Sequence, residues 1–186
     1  MAIAGLYPLW GALWGGLVAA WFLRQPYSIG LWLPFLWIIV AGIEARFLSF
    51  AGWWHVLGAM VLLPVWFFYL GQLDPMHAVP VALAAHTISR ALLIVIVWIS
   101  RPTAAGMALS GRLDSIGAVF AIACATVTAF LSGFRPGSIM ILVGFLTVRL
   151  IRQRYYGRFG GVNTMALSLT QHATELTTLL IAVYTR

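Results

Sequence analysis

Four of the few polar residues in this chain fall inside long apolar runs: His86 and Arg90 in one, Gln171 and Glu175 in another. Each pair is spaced four apart, which puts two side chains one turn apart on the same helix face. Arg90 stands ten residues before Ser100, about 15 Å at 1.5 Å per residue, and Glu175 stands thirteen residues after Val162, about 20 Å. A charge at that depth in an apolar helix is costly unless it has a partner. The spacing therefore predicts that Arg90 pairs with Glu175, and that His86, Arg90, Gln171 and Glu175 form one polar layer between two helices. Two roles fit such a layer: an ion pair that fixes helix register, and a centre that binds a substrate.

A second set of polar residues is basic. Arg149, Arg152, Arg154 and Arg158 precede a Gly160-Gly161 turn and Val162-Asn163-Thr164. Guanidinium groups recognise phosphate bidentately, so Arg101, Arg112, Arg154, Arg158 and Asn163 are candidates to hold an anionic, phosphate-bearing ligand. Loop arginines that set topology beside anionic lipid explain the same pattern. The acids are Glu44, Asp74, Asp114 and Glu175. Glu44 and Asp114 are the two on the same side as the basic residues, and so the weak candidates for catalysis. Neither stands in a recognisable metal motif. Cys124 is the lone cysteine, which leaves no disulfide or cysteine metal site within the chain.

Composition determines what must position these groups. Of 186 residues, 62% are hydrophobic and 8% charged, against about 25% charged in a soluble globular domain. The expectation is an all-α, polytopic integral membrane bundle forming a single domain over residues 1–186. The net charge of +7 does not point to nucleic acid, because the arginines sit between apolar runs. A span needs roughly 20 apolar residues. Seven are predicted: Ile3–Leu23, Ile29–Ile43, Trp53–Leu70, Met76–Ile99, Ser115–Ser132, Gly137–Ile151 and Val162–Tyr184. Gln25-Pro26, Asp74-Pro75, Arg101-Pro102, Arg135-Pro136-Gly137 and Gly160-Gly161 break the chain between them. The N-terminus lacks a basic n-region, so the first run reads as a retained helix. With seven spans, Arg46, Arg101, Arg112, Arg149, Arg152, Arg154 and Arg158 fall on one side, and Arg24, Arg135 and Arg186 on the other. Positive residues favour the cytoplasm, which places the N-terminus inside. Gly11 and Gly15, four apart, predict close helix packing. The tryptophans, read as lying mostly near span ends, predict interfacial belts.

Several of these segments resemble one family. Tyr7-Pro8-Leu9-Trp10-Gly11-Ala12-Leu13-Trp14-Gly15-Gly16 is similar to the early F-P-L-V-G-x-x-x-G segment of cobalamin 5′-phosphate synthase (adenosylcobinamide-GDP ribazoletransferase). Ser89-Arg90, then Arg101-Pro102 and Gly106-Met107, resemble its S-R segment and its A-R-x-x-G-L-G loop. Gly160-Gly161-Val162-Asn163-Thr164-Met165-Ala166-Leu167, with Glu175 after it, resembles G-G-x-T-G-D-x-L-G-A-x-x-x-x-x-E. The order is the same and the resemblance spans nearly the whole chain. It implies a multi-pass enzyme of the bacterial or archaeal cytoplasmic (inner) membrane. That enzyme joins adenosylcobinamide-GDP to α-ribazole or its phosphate, releases GMP and depends on Mg2+.

The chain departs from that pattern where the metal would bind. The family's G-x-x-H-x-D-G-L-A-D-x-x-D-G loop is replaced by Gly42-Ile43-Glu44-Ala45-Arg46-Phe47-Leu48-Ser49, and Met165 stands for the aspartate of the last motif. Magnesium is usually held by carboxylates together with substrate phosphates. Three readings follow. One is a working transferase with a reduced site, binding corrinoid and nucleotide substrates and needing Glu44 and Asp114. Another is a non-catalytic descendant, kept as a structural subunit beside partner subunits of a membrane complex. The last is a small carrier using the Arg90–Glu175 layer, which no inverted repeat or broken helix supports.

Overall fold

The structure is a computed structural model, and it describes residues 6–24, 37–43, 52–100 and 114–185. The chain is all-α. Its helices are α1 (Tyr7–Arg24), α2 (37–43), α3 (Gly52–Leu70), α4 (Pro75–Trp98), α5 (Ser115–Leu131), α6 (Phe134–Phe159) and α7 (Thr164–Tyr184). The starts follow from local chemistry. Asp74 caps α4 by accepting from the His77 amide at 3.1 Å, with Pro75 in the first turn, where its missing N–H costs nothing. Asp114 caps α5 through the Gly117 amide at 2.8 Å, and Asn163 caps α7 through the Ala166 amide at 2.9 Å. Gly160 ends α6 in the left-handed conformation, φ 70°, that glycine adopts without strain.

The expected boundaries of the third, fourth, fifth and seventh segments agree with the helices to within two residues. Residues 3–5 of the first segment and 29–36 of the second lie outside the described residues. The sixth is corrected. It runs from Phe134 to Phe159 rather than Gly137 to Ile151, so Arg152, Arg154 and Arg158, expected beyond the span, stand on the same helix as Arg149. Ending a span at its first charges ignores the backbone. Arginine, glutamine and tyrosine all continue a helix at little cost, and the only break before Gly160 is the tolerated Gly157.

Helix α4 is the axis of the bundle. Its apolar stretch is 89% buried, enclosed by α1, α5 and α7. The glycines of α1 make the closest approach. A Cβ on Gly15 would fall 2.7 Å from the Ala82 carbonyl oxygen, and one on Gly11 would collide with the His86 carbonyl oxygen. Since Gly11 meets His86 and Gly15 meets Ala82, α1 and α4 run antiparallel. On α5, Ala118, Ala121, Ala125 and Ala129 form the buried stripe, and Gly137 of α6 seats itself on the Ala129 carbonyl. Outward faces are apolar too: Leu13, Val61, Phe68, Val119, Val127, Leu142 and Leu150 are all exposed. Among the described residues, Met76–Trp98 and Phe134–Phe159 are long and apolar enough to cross a membrane.

The tryptophans require a second correction. Trp14, Trp37 and Trp66 are buried in the core and do not form a belt. Only Trp10 and Trp98 are exposed among those whose side chains are described.

The close contact at Gly11 gives a direct test. Gly11→Ala forces a methyl group against the α4 backbone, and overpacking of this kind costs about 1–3 kcal/mol. Gly157→Ala, with no atom within 4 Å of its Cβ position, should gain about 0.5–1 kcal/mol from helix propensity. Thermal unfolding of both variants in detergent should shift in opposite directions. Equal shifts would show that the α1–α4 contact is not made as described.

Candidate functional site

The polar layer forms around one oxygen. Arg90 on α4 donates from Nη1 to Glu175 Oε1 on α7 at 3.1 Å, and both side chains are almost wholly buried. The same Oε1 accepts from the Ser89 hydroxyl at 3.2 Å and lies 3.2 Å from His86 Nδ1. Glu175 Oε2 faces His172 Nδ1 at 3.8 Å. Arg90 Nη1 also donates to the His86 carbonyl at 3.0 Å, and its guanidinium lies over the Tyr7 ring. Several donors to one carboxylate are what a buried charge requires.

His86 Nδ1 is shared between two neighbours. It lies 3.2 Å from Arg90 Nη1 as well as 3.2 Å from Glu175 Oε1. A guanidinium can only donate and a carboxylate can only accept. Nδ1 therefore accepts from Arg90 when it is bare and donates to Glu175 when it carries the proton. His172 is more constrained. Its Nε2 lies 3.1 Å from the His55 carbonyl oxygen, so Nε2 carries a hydrogen. The His55 and His172 rings stack at 4.7 Å, and His55 Nδ1 meets the Ser168 hydroxyl at 3.1 Å.

Glycines make room for this layer on both flanks. A Cβ on Gly11 would lie 2.7 Å from Arg90 Cδ, and one on Gly58 of α3 would lie 2.6 Å from His172 Cδ2. Aromatic rings form the remaining wall. Trp66 stacks on His86 at 4.8 Å and 7°, with Trp37 tilted against both and Trp14 edge-on to Trp37. Between the wall and the polar groups lies a cavity of ≈ 10 Å³, bordered by His55, Gln171, His172 and Glu175 among others. That is about the room one water molecule needs.

The expected pair of Arg90 with Glu175 is thus formed. His86 joins it directly, and Gln171, buried, borders the same cavity. The other expected residues are elsewhere. Arg154 and Arg158 are exposed on the last turns of α6, where Arg158 packs on Phe159. Asn163 and Asp114 serve as helix caps. Glu44, Arg101 and Arg112 lie outside the described residues. Among the described residues, no group of three His, Cys, Asp or Glu is arranged to hold a metal ion. The donors do not suit magnesium in any case. Mg2+ takes oxygen ligands, whereas the one carboxylate of the centre faces nitrogen and already balances an arginine.

His55, His172, Ser168 and the tryptophan wall are the members of the site not foreseen from sequence. A signal for part of it exists. Ser168, Gln171, His172, Glu175 and Thr178 repeat at three and four residues and all are buried or half-buried, a polar stripe that faces inward.

No family model, no curated protein and no solved structure matches the chain.

Removing one partner of a buried ion pair costs about 3–5 kcal/mol, while replacing both with apolar residues is often neutral. Arg90→Met should therefore unfold the protein at much lower denaturant than wild type. The double variant Arg90→Met/Glu175→Leu should recover most of the loss. Additive losses in this double-mutant cycle would mean that the two groups are not coupled.

Proposed function

We propose that the protein is a multi-pass membrane protein of the cytoplasmic membrane, with its N-terminus inside. In this reading it keeps the scaffold of cobalamin 5′-phosphate synthase, the family its sequence resembles, as a non-catalytic subunit of a larger membrane complex. The observation that carries the reading is the state of the described carboxylates. Asp74 is engaged with the His77 amide and ring, Asp114 with the Gly117 amide, and Glu175 with Arg90. No two of them converge. The chemistry of phosphoryl transfer rests on metal ions that neutralise developing charge, and these positions do not supply their ligands. The cavity at the buried centre has room for about one water. Membrane placement is supported by apolar outward faces on α1, α3, α5 and α6 around an interior that is partly polar.

One observation favours the transferase reading instead. Ser89-Arg90 and Glu175 carry separate parts of the resemblance, and they meet, with the Ser89 hydroxyl donating to Glu175 at 3.2 Å. In that reading Glu44 and Asp114 serve Mg2+, and Arg101, Arg112, Arg154 and Arg158 hold the diphosphate.

An assay separates the two readings. The purified protein in lipid vesicles is given adenosylcobinamide-GDP, α-ribazole and Mg2+, with a known synthase alongside. The expected result is no GMP release and no joined corrinoid. Turnover that a chelator abolishes would establish the transferase reading.

Topology is tested separately through the native thiol. Cys124 lies nine residues past the start of α5, about 14 Å along it. In sealed vesicles a membrane-impermeant maleimide should leave it unlabelled until detergent is added. In a Cys124→Ser background, Gly157→Cys should label from the cytoplasmic side and Gln72→Cys from the opposite side. Labelling of both from one side would sink the multi-pass reading.

A further inference from the structure

We infer that the last three turns of α6 form a binding site for the headgroup of an anionic phospholipid, an inference that rests on the multi-pass reading. The helix has 26 residues, about 39 Å at 1.5 Å per residue, whereas the hydrocarbon core is about 30 Å thick. Counted from Phe134, Arg154 and Arg158 stand about 30 and about 36 Å along the helix, at or beyond the edge of that core, while Arg149 and Arg152, about 22 and about 27 Å along, reach the headgroups by extending their long side chains.

The outward face of α6 is divided along its length. Leu142, Leu146 and Leu150, in successive turns, are 60%, 48% and 66% exposed. Gly144, Val148 and Tyr155 lie on the opposite, buried side. At about 100° per residue, Arg149 and Arg154 leave the helix within about 80° of the leucine line, and both are exposed. A lipid satisfies both halves at once, with its acyl chains along the leucines and its phosphate between the guanidiniums.

Among the described residues none of these arginines forms an ion pair, and Asp114, the acid that opens the neighbouring α5, holds its own helix end. Arg152 is stacked over Tyr156 at 4.8 Å and Arg158 over Phe159 at 5.4 Å. A guanidinium over a ring keeps its in-plane N–H donors for other partners, and Arg152 Nε is buried without one. A soluble phosphate compound would meet the same arginines but would have no use for the leucines beneath them.

The test uses the full chain in mixed micelles of phosphatidylglycerol and phosphatidylcholine, with bound lipids counted by native mass spectrometry. Wild type should retain phosphatidylglycerol over phosphatidylcholine. Arg149→Gln/Arg154→Gln should lower that preference by roughly tenfold or more, given a several-fold effect per arginine. Arg135→Gln, at the other end of α6, should leave it unchanged. Equal retention of the two lipids by wild type overturns the inference, as does a preference that survives in the double variant. Displacement of phosphatidylglycerol by millimolar inorganic pyrophosphate overturns it in favour of a soluble ligand. Should the double variant fail to fold, the wild-type lipid ratio at low and high salt decides, because a phosphate contact weakens as charge is screened. The thiol-labelling pattern reads the topology independently, so a wrong orientation and a missing lipid site give different results.

Discussion

A charged pair inside an apolar bundle constrains everything packed around it. Desolvating a guanidinium and a carboxylate costs several kcal/mol per ion even after relaxation, and only good geometry with further hydrogen bonds offsets that. In this protein the offset is local and dense. Glu175 Oε1 gathers Arg90, Ser89 and His86 within 3.2 Å, and Arg90 returns a bond to the His86 carbonyl. Three of those groups lie within one turn of α4, so α4 and α7 can pair in only one register. The neighbouring helices must then accommodate this centre. The glycine at position 11 leaves space for the Arg90 stem, and the glycine at position 58 leaves space for the His172 ring. Trp66 lies flat on His86 and is itself buried.

Such a pair has a particular value where the surroundings are lipid. Apolar side chains gain little by exchanging lipid contacts for each other, so helix association in a membrane relies on close packing and polar contacts. The apolar stripes of α5 and α6 interlock through alanines and Gly137, but alanine stripes can slide by a turn with little penalty. Arg90 and Glu175 cannot. The small residues bring the helices close, and the ion pair selects which close approach is used.

How much of this was legible in the sequence depended on the type of signal. Arg90 and Glu175 were readable because a charge deep in an apolar run has few acceptable environments, and a single opposite charge was available. Gly11 and Gly15 were readable as a contact surface, although nothing local revealed that one of them also clears an arginine stem. Asp74 was readable as a break between helices, whereas Asp114 and Asn163, read as catalytic and anion-binding candidates, are used by the structure as caps. The far end of α6 was misread, because hydropathy ends where charge begins while helical backbone does not. The tryptophans were misread for a related reason. A tryptophan in an apolar run suits an interface or a core equally, and only the third dimension places Trp14, Trp37 and Trp66 around His86. His55 could not have been matched to Ser168, 113 residues away, without knowing that α3 packs on α7.

The arrangement of the polar groups also bears on whether a solute crosses the bundle. Along α7 the inward polar residues descend from Ser168 through Gln171 and His172 to Glu175, with His55 of α3 beside the first of them. Past Glu175 the described surroundings change character. Trp14, Trp37 and Trp66 close around His86, and Leu70, Ala78, Ala82 and Leu179 pack beyond them, all buried. Polar character therefore approaches the centre from the end of the bundle where α7 begins, and past it the interior is mainly apolar, with Thr178 the buried polar residue of the next turn. A carrier needs its site to open alternately to both sides, with broken helices or repeats that rearrange around it. Here α4 and α7 are continuous through the site, and the pair that would have to separate is the one that sets their register. The pair thus joins α4 to α7, and α1 and α3 pack against it through Gly11 and Gly58.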